Sequence, residues 1–254
     1  MSHSDSLGDK LKALEQAEAG RKADPYVPLM CRIDGKSFSK FTKGLQRPFD
    51  KRFTDLMVET TKFLVEQTEA TLGYCQSDEI SLFWHLNKQE FSNREFWFGG
   101  KFQKVASVTA SMAGSFFSAN LGRYLPEKVG KYPVFDSRVW SVPNLELAYE
   151  NFQWRFLDAQ KNSVSMYARA FFSHKSLQNK TCREMKELLA QNGTPWEELP
   201  LFFKEGTYVK RKTVTLQPED FSDSDIPEEH RPTGPVQRTV VSSCEKPEEI
   251  RLYP

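Results

Sequence analysis

Val27-Pro28-Leu29-Met30-Cys31-Arg32-Ile33-Asp34-Gly35 is an apolar run bounded by Pro25 and Pro28 and broken by Gly35, and it reads as a buried strand that ends on a carboxylate. Downstream of it, Phe53, Leu56, Met57, Thr60 and Leu64 recur at i, i+3, i+4, i+7 and i+11. That spacing predicts an amphipathic helix beginning near Asp50, laid over the sheet and ended by Gly73. Two β-rich segments follow, Tyr74-Cys75-Gln76 and Ile80-Ser81-Leu82-Phe83-Trp84, separated by Ser77-Asp78-Glu79. They predict a hairpin with an acidic tip.

A second helix is predicted from about Lys101 to Tyr124, with Val105, Val108, Met112, Phe116 and Ala119 on one face and many small residues for close packing. The order is then β-α-β-β-α, and a strand near Val134 or Trp140 completes it. The fold class that fits is α+β, a ferredoxin-like βαββαβ unit with both helices on one face of an antiparallel sheet, followed by a helical and β extension. We divide the chain into a catalytic domain over residues 5–138 and a C-terminal domain over 139–254. Such a sheet brings the end of the first strand beside the hairpin tip, placing Asp34 and Asp78 within reach of one metal pair. Mg²⁺ favours carboxylate oxygen and uses only one or two protein carboxylates when substrate phosphates complete its shell. Alone, Asp34-Gly35 reads as an ordinary turn, because both residue types favour turns.

Phosphate chemistry also needs donors, and two stretches supply them. In Gly35-Lys36-Ser37-Phe38-Ser39 a glycine beside the aspartate lets backbone N–H groups approach an anion. In Gly99-Gly100-Lys101-Phe102-Gln103-Lys104 two lysines sit on one face of a helix start, a place that favours anions, although such starts are usually just solvated. Neither has the Walker A spacing, which argues against P-loop chemistry.

The bulk properties set limits. The 254 residues carry a net charge of +1, so nucleic-acid affinity has to come from local patches. Lys36, Lys40, Lys43, Arg47, Lys51 and Arg52, interleaved with phenylalanines, form the densest patch, and Lys204, Lys210, Arg211 and Lys212 form another. Their plain alternative is a wet charged surface. The four cysteines show no paired ligand spacing, and no apolar run reaches the roughly 20 residues that span a bilayer. We therefore expect a reduced, cytoplasmic location without a membrane partner. Met1–Ala23 reads as polar and helical, and Trp154 reads as core. Gln217–Pro235 reads as a long acidic, proline-rich loop or tail, a candidate to order against a neighbouring subunit, ahead of a β-like Thr239-Val240-Val241.

Arg32-Ile33-Asp34-Gly35-x-x-Phe38-x-x-Phe41, Arg47-Pro48-Phe49-Asp50, Ser77-Asp78-Glu79, Phe135-Asp136-Ser137-Arg138 and Trp154-Arg155-x-x-Asp158 together resemble the tRNA-His guanylyltransferase family over roughly residues 27 to 212. The resemblance implies a polymerase-palm fold and addition of nucleotides to the 5′ end of a tRNA in the 3′–5′ direction. It implies two Mg²⁺ ions held by Asp34, Asp78 and the Gly35 carbonyl, with Glu79 in support. Asp34, Gly35, Lys36, Ser37, Phe38, Ser39, Ser77 and Asp78 would bind GTP, with Arg32 and Arg47 assisting and Lys101 and Lys104 as a triphosphate clamp. ATP would activate a 5′-monophosphate, and the 3′-hydroxyl of the incoming nucleotide would attack it. Lys161, Asn162, Lys210 and Arg211 are candidate RNA contacts, and a homotetramer is implied. Members that guanylylate tRNA-His without a template carry His-Ile-Asn-Asn where this chain has Gln160-Lys161-Asn162-Ser163. That difference resembles the like-protein branch, which repairs truncated 5′ ends by template-dependent addition. Two other classes stay open: a nucleotide cyclase or cyclic-dinucleotide synthase on a similar palm, and a catalytically inactive RNA-binding protein.

Overall fold

The computed structural model describes residues 6–86, 95–222, 226–244 and 246–251, and its sheet is built around β1, Leu29–Gly35. Alternate side chains of a strand face opposite ways. Leu29, Cys31 and Ile33 enter a core with Ile80, Leu82, Leu56, Leu64, Val105 and Phe117. Met30 enters a second core with Tyr74, Phe83 and Phe152. Burial on both faces is why this strand reads as an unbroken apolar run.

The helix α2, Lys51–Thr68, starts where the sequence places it: the Asp50 carboxylate caps it by accepting the Arg52 N–H at 3.1 Å. All five residues of its predicted stripe are buried. Gly73 does not end it, because the chain already turns at Glu69, in the left-handed region, and Gly73 lies inside β2, Leu72–Gln76. A Cβ at Gly73 would stand 2.6 Å from Val65 Cγ2, so glycine is needed there for helix–sheet contact. Gly73→Ala is expected to cost about 1–3 kcal/mol by overpacking. A thermal melt should show this as a fall of roughly 2–10 °C in Tm; an unchanged Tm would mean that α2 is free to shift.

Strand β3, Glu79–Trp84, pairs with β2 so that Gln76 faces Glu79, and only Ser77 and Asp78 remain in the turn. The next helix, α3, Phe102–Ala119, buries Val105, Thr109, Ala113 and Phe117, one residue round from the predicted stripe. The small side chains decide the rotation: the Thr109 hydroxyl sits 2.9 Å from that of Ser137, against the sheet. Phe116 turns instead to α2 and stacks on Phe63 with centroids 4.4 Å apart. The helix stops at Ala119, and Leu121–Tyr124 is a separate turn. Strand β4, Phe135–Ser141, then pairs with the outer edge of β1 and runs through the 138/139 boundary.

On the opposite face lies α4, Leu145–Phe171, capped by the Asn144 side chain and about 40 Å long. Its Ala148 and Phe152 pack on Met30, Tyr74 and Phe83. Trp154 points away from that stripe and is 53% exposed, so it is not core. The C-terminal half of α4 packs on α5, Cys182–Gln191, around Val164, Tyr167, Leu189 and Trp196. Strands β5, Thr207–Leu216, and β6, Val236–Cys244, extend the sheet, giving the antiparallel order β4-β1-β3-β2-β5-β6. Thr239, Val240 and Val241 therefore pair with β5 of the same chain, and the acidic stretch is the β5–β6 connection, of which residues 223–225 lie outside the described residues. The helix α1, Ser6–Ala19, buries none of its residues, and residues 1–5 of the predicted N-terminal helix are likewise outside the described residues. Among the described residues no helix is long and apolar enough to cross a membrane.

Candidate active site

The carboxylates meet where β1 ends. Asp34 stands opposite Glu79 of β3 on one side and Asp136 of β4 on the other. One residue on, the Gly35 N–H donates to the Asp78 carbonyl at 3.0 Å, which ties the strand end to the hairpin tip. Burial pushes the Asp78 carboxyl above the ordinary range and the neighbouring Asp34 pushes the same way, while a backbone N–H and the Ser77 hydroxyl, 3.1 Å away, partly offset them. Among the described residues, neither Asp34 nor Asp78 forms an ion pair with a protein cation.

Glu79 is arranged differently. Arg155 of α4 donates to both of its oxygens, at 3.2 and 3.0 Å, and to Asp158 at 3.2 Å. Arg32 approaches the same carboxylate at 3.8 Å. Burial raises the Glu79 carboxyl, and Arg155 and then Arg32 offset it. Glu79 is thus committed to guanidinium groups, and among the described residues no cluster of three His, Cys, Asp or Glu side chains could hold a metal ion. The unpaired, partly buried couple Asp34 and Asp78 nevertheless suits a divalent ion that brings phosphate and water ligands of its own.

Beside this pair opens a cleft of about 1060 Å³. Its walls are Asp34, residues drawn from the stretch between Gly35 and Thr54, the hairpin tip, one side of α4 between Arg155 and Ala170, and Phe202 and Phe203. That is ample for a nucleoside triphosphate, since small-ligand pockets run to roughly 1,000 Å³. Backbone packs close here: a Cβ on Gly35 would lie 2.4 Å from the Phe38 ring. Phe38 borders the cleft but is 3% exposed, locked among Phe41, Phe53, Phe117 and Phe135, so it anchors the loop. Ser37, Ser39, Arg47, Ser77 and Asn162 also line the cleft.

Several predicted site residues lie elsewhere. Lys36 is outside the lining, and its backbone N–H donates to Val134 at 2.8 Å. Lys101 and Lys104 start α3 at the other end of the sheet: Phe117 packs on Phe38 beside the cleft, and a rise of about 1.5 Å per residue leaves Lys101 roughly 24 Å away. There Lys104 lies over the Phe98 ring at 4.6 Å, and neither lysine lines this chain's own cleft. Lys210 pairs with Leu72, at the far end of β2, and Arg211 faces Glu69 at 3.7 Å, so both lie outside the cleft lining. Lys161 is exposed on α4 outside the lining, whereas Asn162 donates to Asp158 at 3.2 Å. The sequence reading placed Arg155 and Asp158 in a motif without a role in the cleft, and assigned nothing to Arg169. The i, i+3 spacing of Arg155 and Asp158 was the available signal for the first two; Arg169 had none.

Residues 9–143 match the sequence model of the family described as tRNAHis guanylyltransferase. Among solved structures, a bacterial tRNA(His) guanylyltransferase-like protein in complex with ATP superposes with a TM-score of 0.75 at 35% identity, over 82% of this chain and 87% of that one. A bacterial protein of the same description in complex with GTP gives a TM-score of 0.69 at 30% identity, over 93% and 91% of the two chains. The tRNA(His) guanylyltransferase of Saccharomyces cerevisiae is 28% identical over 216 residues, 76% of this chain and 86% of the relative. A family model that covers more than half of the chain, together with shared architecture over most of the rest, means that this chain belongs to the tRNAHis guanylyltransferase family.

Proposed function

We propose that this protein is a nucleotidyltransferase that adds nucleotides in the 3′–5′ direction to the 5′ end of a tRNA, with ATP and GTP as substrates and two Mg²⁺ ions as cofactors. The observation that carries this reading is the pairing of Asp34 and Asp78, without a protein cation, at the edge of a cleft of triphosphate size. The strand order β4-β1-β3-β2, with α2 and α3 packed on one face, supports a ferredoxin-like palm as its frame.

Asp34, Asp78 and the Gly35 carbonyl would hold the metals, which supply a lowered pKa for an attacking hydroxyl and neutralise phosphate charge. The rest of the chemistry is positioning. Arg47 and Lys43 line the cleft as cations for the phosphates, and the backbone of Gly35, Ser37 and Ser39 would offer N–H groups to the triphosphate. Arg155 keeps Glu79 turned into the protein. A 5′-monophosphate RNA end is activated by ATP, and the 3′-hydroxyl of the incoming nucleotide then displaces the activating group.

Residues 5–138 would carry the chemistry, and 139–254 would complete the cleft and hold RNA. Gln160-Lys161-Asn162-Ser163 favours template-dependent repair over guanylylation restricted to tRNA-His. A cytoplasmic homotetramer is proposed on the family resemblance alone. The test is incubation with Mg²⁺, ATP, labelled GTP and tRNAs lacking one 5′ nucleotide. The expected product is a single added nucleotide whose identity follows the opposing base. Addition of G only to tRNA-His whatever stands opposite would replace repair with guanylylation. Cyclic product without RNA would identify a cyclase, and RNA binding without turnover an inactive binder.

A further inference from the structure

The cleft takes up only one side of the carboxylates. Along β1 the cleft residues begin at Asp34, and Arg32, two positions earlier, is outside them. Along α4 they begin at Arg155, and Trp154 is outside them. On the near side of that divide, between α4 and the β4 edge, lies a strip of the sheet face, here called the trough, that carries Arg32 and Arg138. Arg32 and Arg138 are partners across the β1–β4 pairing and share the face that α4 covers farther along. Arg32 touches Glu79, Glu79 is clasped by Arg155, and the Arg155 guanidinium lies 3.6 Å from the centroid of the Trp154 ring. Strand pairing and side-chain contacts together thus make one continuous band, Arg138–Arg32–Glu79–Arg155–Trp154.

Two features of this band point to a ligand that is both anionic and aromatic. Trp154 is 53% exposed although a guanidinium already lies against its ring. The Arg138 side chain is 58% exposed, and its ion pair with Asp136, half-exposed at 3.3 Å, is of a kind that a phosphate readily displaces. Arginines along a groove beside an exposed aromatic are the usual means of holding single-stranded nucleic acid.

Resting on the function proposed above, we propose that this trough is the bed for the 5′-terminal RNA strand, with Arg138 and Arg32 on its phosphates and Trp154 stacked on a base. A reaction that joins a triphosphate to a polymer needs two approaches to one metal pair. The cleft provides the first and the trough the second.

The test uses the full chain and a 5′-phosphorylated tRNA lacking one 5′ nucleotide, fluorescently labelled at its 3′ end, with binding followed by anisotropy so that the answer does not depend on turnover. Trp154→Ala should weaken RNA binding about 10-fold and Trp154→Phe should restore most of it, since a smaller ring still stacks. Arg138→Ala should lower the slope of log K against log salt by roughly 0.7–0.9, the loss of one phosphate contact. Affinity for GTP, measured separately, should stay within about twofold in both alanine variants. RNA binding equal to wild type in both alanine variants overturns the proposal. So does a loss of GTP affinity in place of RNA affinity, which would make the trough a nucleotide subsite. Absence of nucleotide addition by the wild-type protein, with these RNA effects intact, would instead reject the proposed reaction and leave the RNA bed standing.

Discussion

Asp78→Asn loses at least about 10³-fold in kcat/KM for nucleotide addition, yet in Mg²⁺-free buffer it melts at a higher temperature than the wild-type protein. The loss is what removing one of two metal-holding carboxylates takes from charge stabilisation in the transition state, about 4 kcal/mol or more. The gain follows from linkage. Burial and Asp34 raise the folded-state pKa of Asp78 above its unfolded value. Such a group favours folding fully below the unfolded value, near 3.9, and that contribution disappears as the pH rises through the folded value. Above the folded value the wild type thus carries an ionised, partly buried Asp78 beside Asp34, a charge that the asparagine variant never carries. Metal-free melts taken from pH 4 to pH 8 should show the Tm difference between variant and wild type growing with pH. Asp50, held low by Arg52, Glu127, held low by its own backbone N–H and then by Arg52, and Glu184, held low by Thr181, lose their contribution as the pH falls, but they are common to both proteins and cancel. Adding Mg²⁺ should raise the Tm of the wild type and scarcely move that of the variant. A variant less stable than wild type at neutral pH without metal would mean that Asp78 is a structural carboxylate. Asp34→Asn should lose activity to a similar extent.

What the sequence could reveal depended on how local the cause was. The helix start near Asp50, the α2 stripe and the hairpin at Ser77-Asp78 come from short-range spacing and are where that spacing puts them, except that Glu79 belongs to β3 and not to the tip. The meeting of Asp34 and Asp78 needed only the order of the strands. The rotation of α3 was hidden because the larger apolar side chains Val108, Met112 and Phe116 mark a different stripe, whereas polar Thr109 and small Ala113 are what the helix buries, Thr109 against Ser137 and Cys31. Lys101 and Lys104 satisfied a rule about helix starts that says nothing about which end of the sheet the start occupies. Trp154 and Phe152 differ by two residues, enough on a helix to separate the exposed face from the core. The clasp between Arg155 and Glu79 joins positions 76 residues apart and leaves no periodic trace.

Loss of that clasp should have the largest effect on stability. Arg155 is 10% exposed and Glu79 22% by side chain, so Arg155→Ala strands a mostly buried carboxylate whose remaining cation, Arg32, is 3.8 Å away. Removing one partner of a buried pair costs roughly 3–5 kcal/mol, and the residual exposure of Glu79 places this case at the lower end. A melt should show Tm falling by about 6–12 °C, with Arg155→Lys little better, because an ammonium cannot bridge two oxygens and Asp158 at once. Glu79→Gln in the Arg155→Ala background should recover part of the loss, a coupling on the order of 1–3 kcal/mol in the double-mutant cycle. Activity should not recover with it: the glutamine removes the stranded charge but not the need for a guanidinium between hairpin and helix. If Arg155→Ala melts within about 1 °C of wild type, the pair is a solvated contact and α4 is held by Phe152 and Ala148 alone. If stability and activity return together in the double variant, Arg155 serves only to neutralise Glu79. Stability returning without activity is the result that ties the long helix to the positioning of the catalytic hairpin.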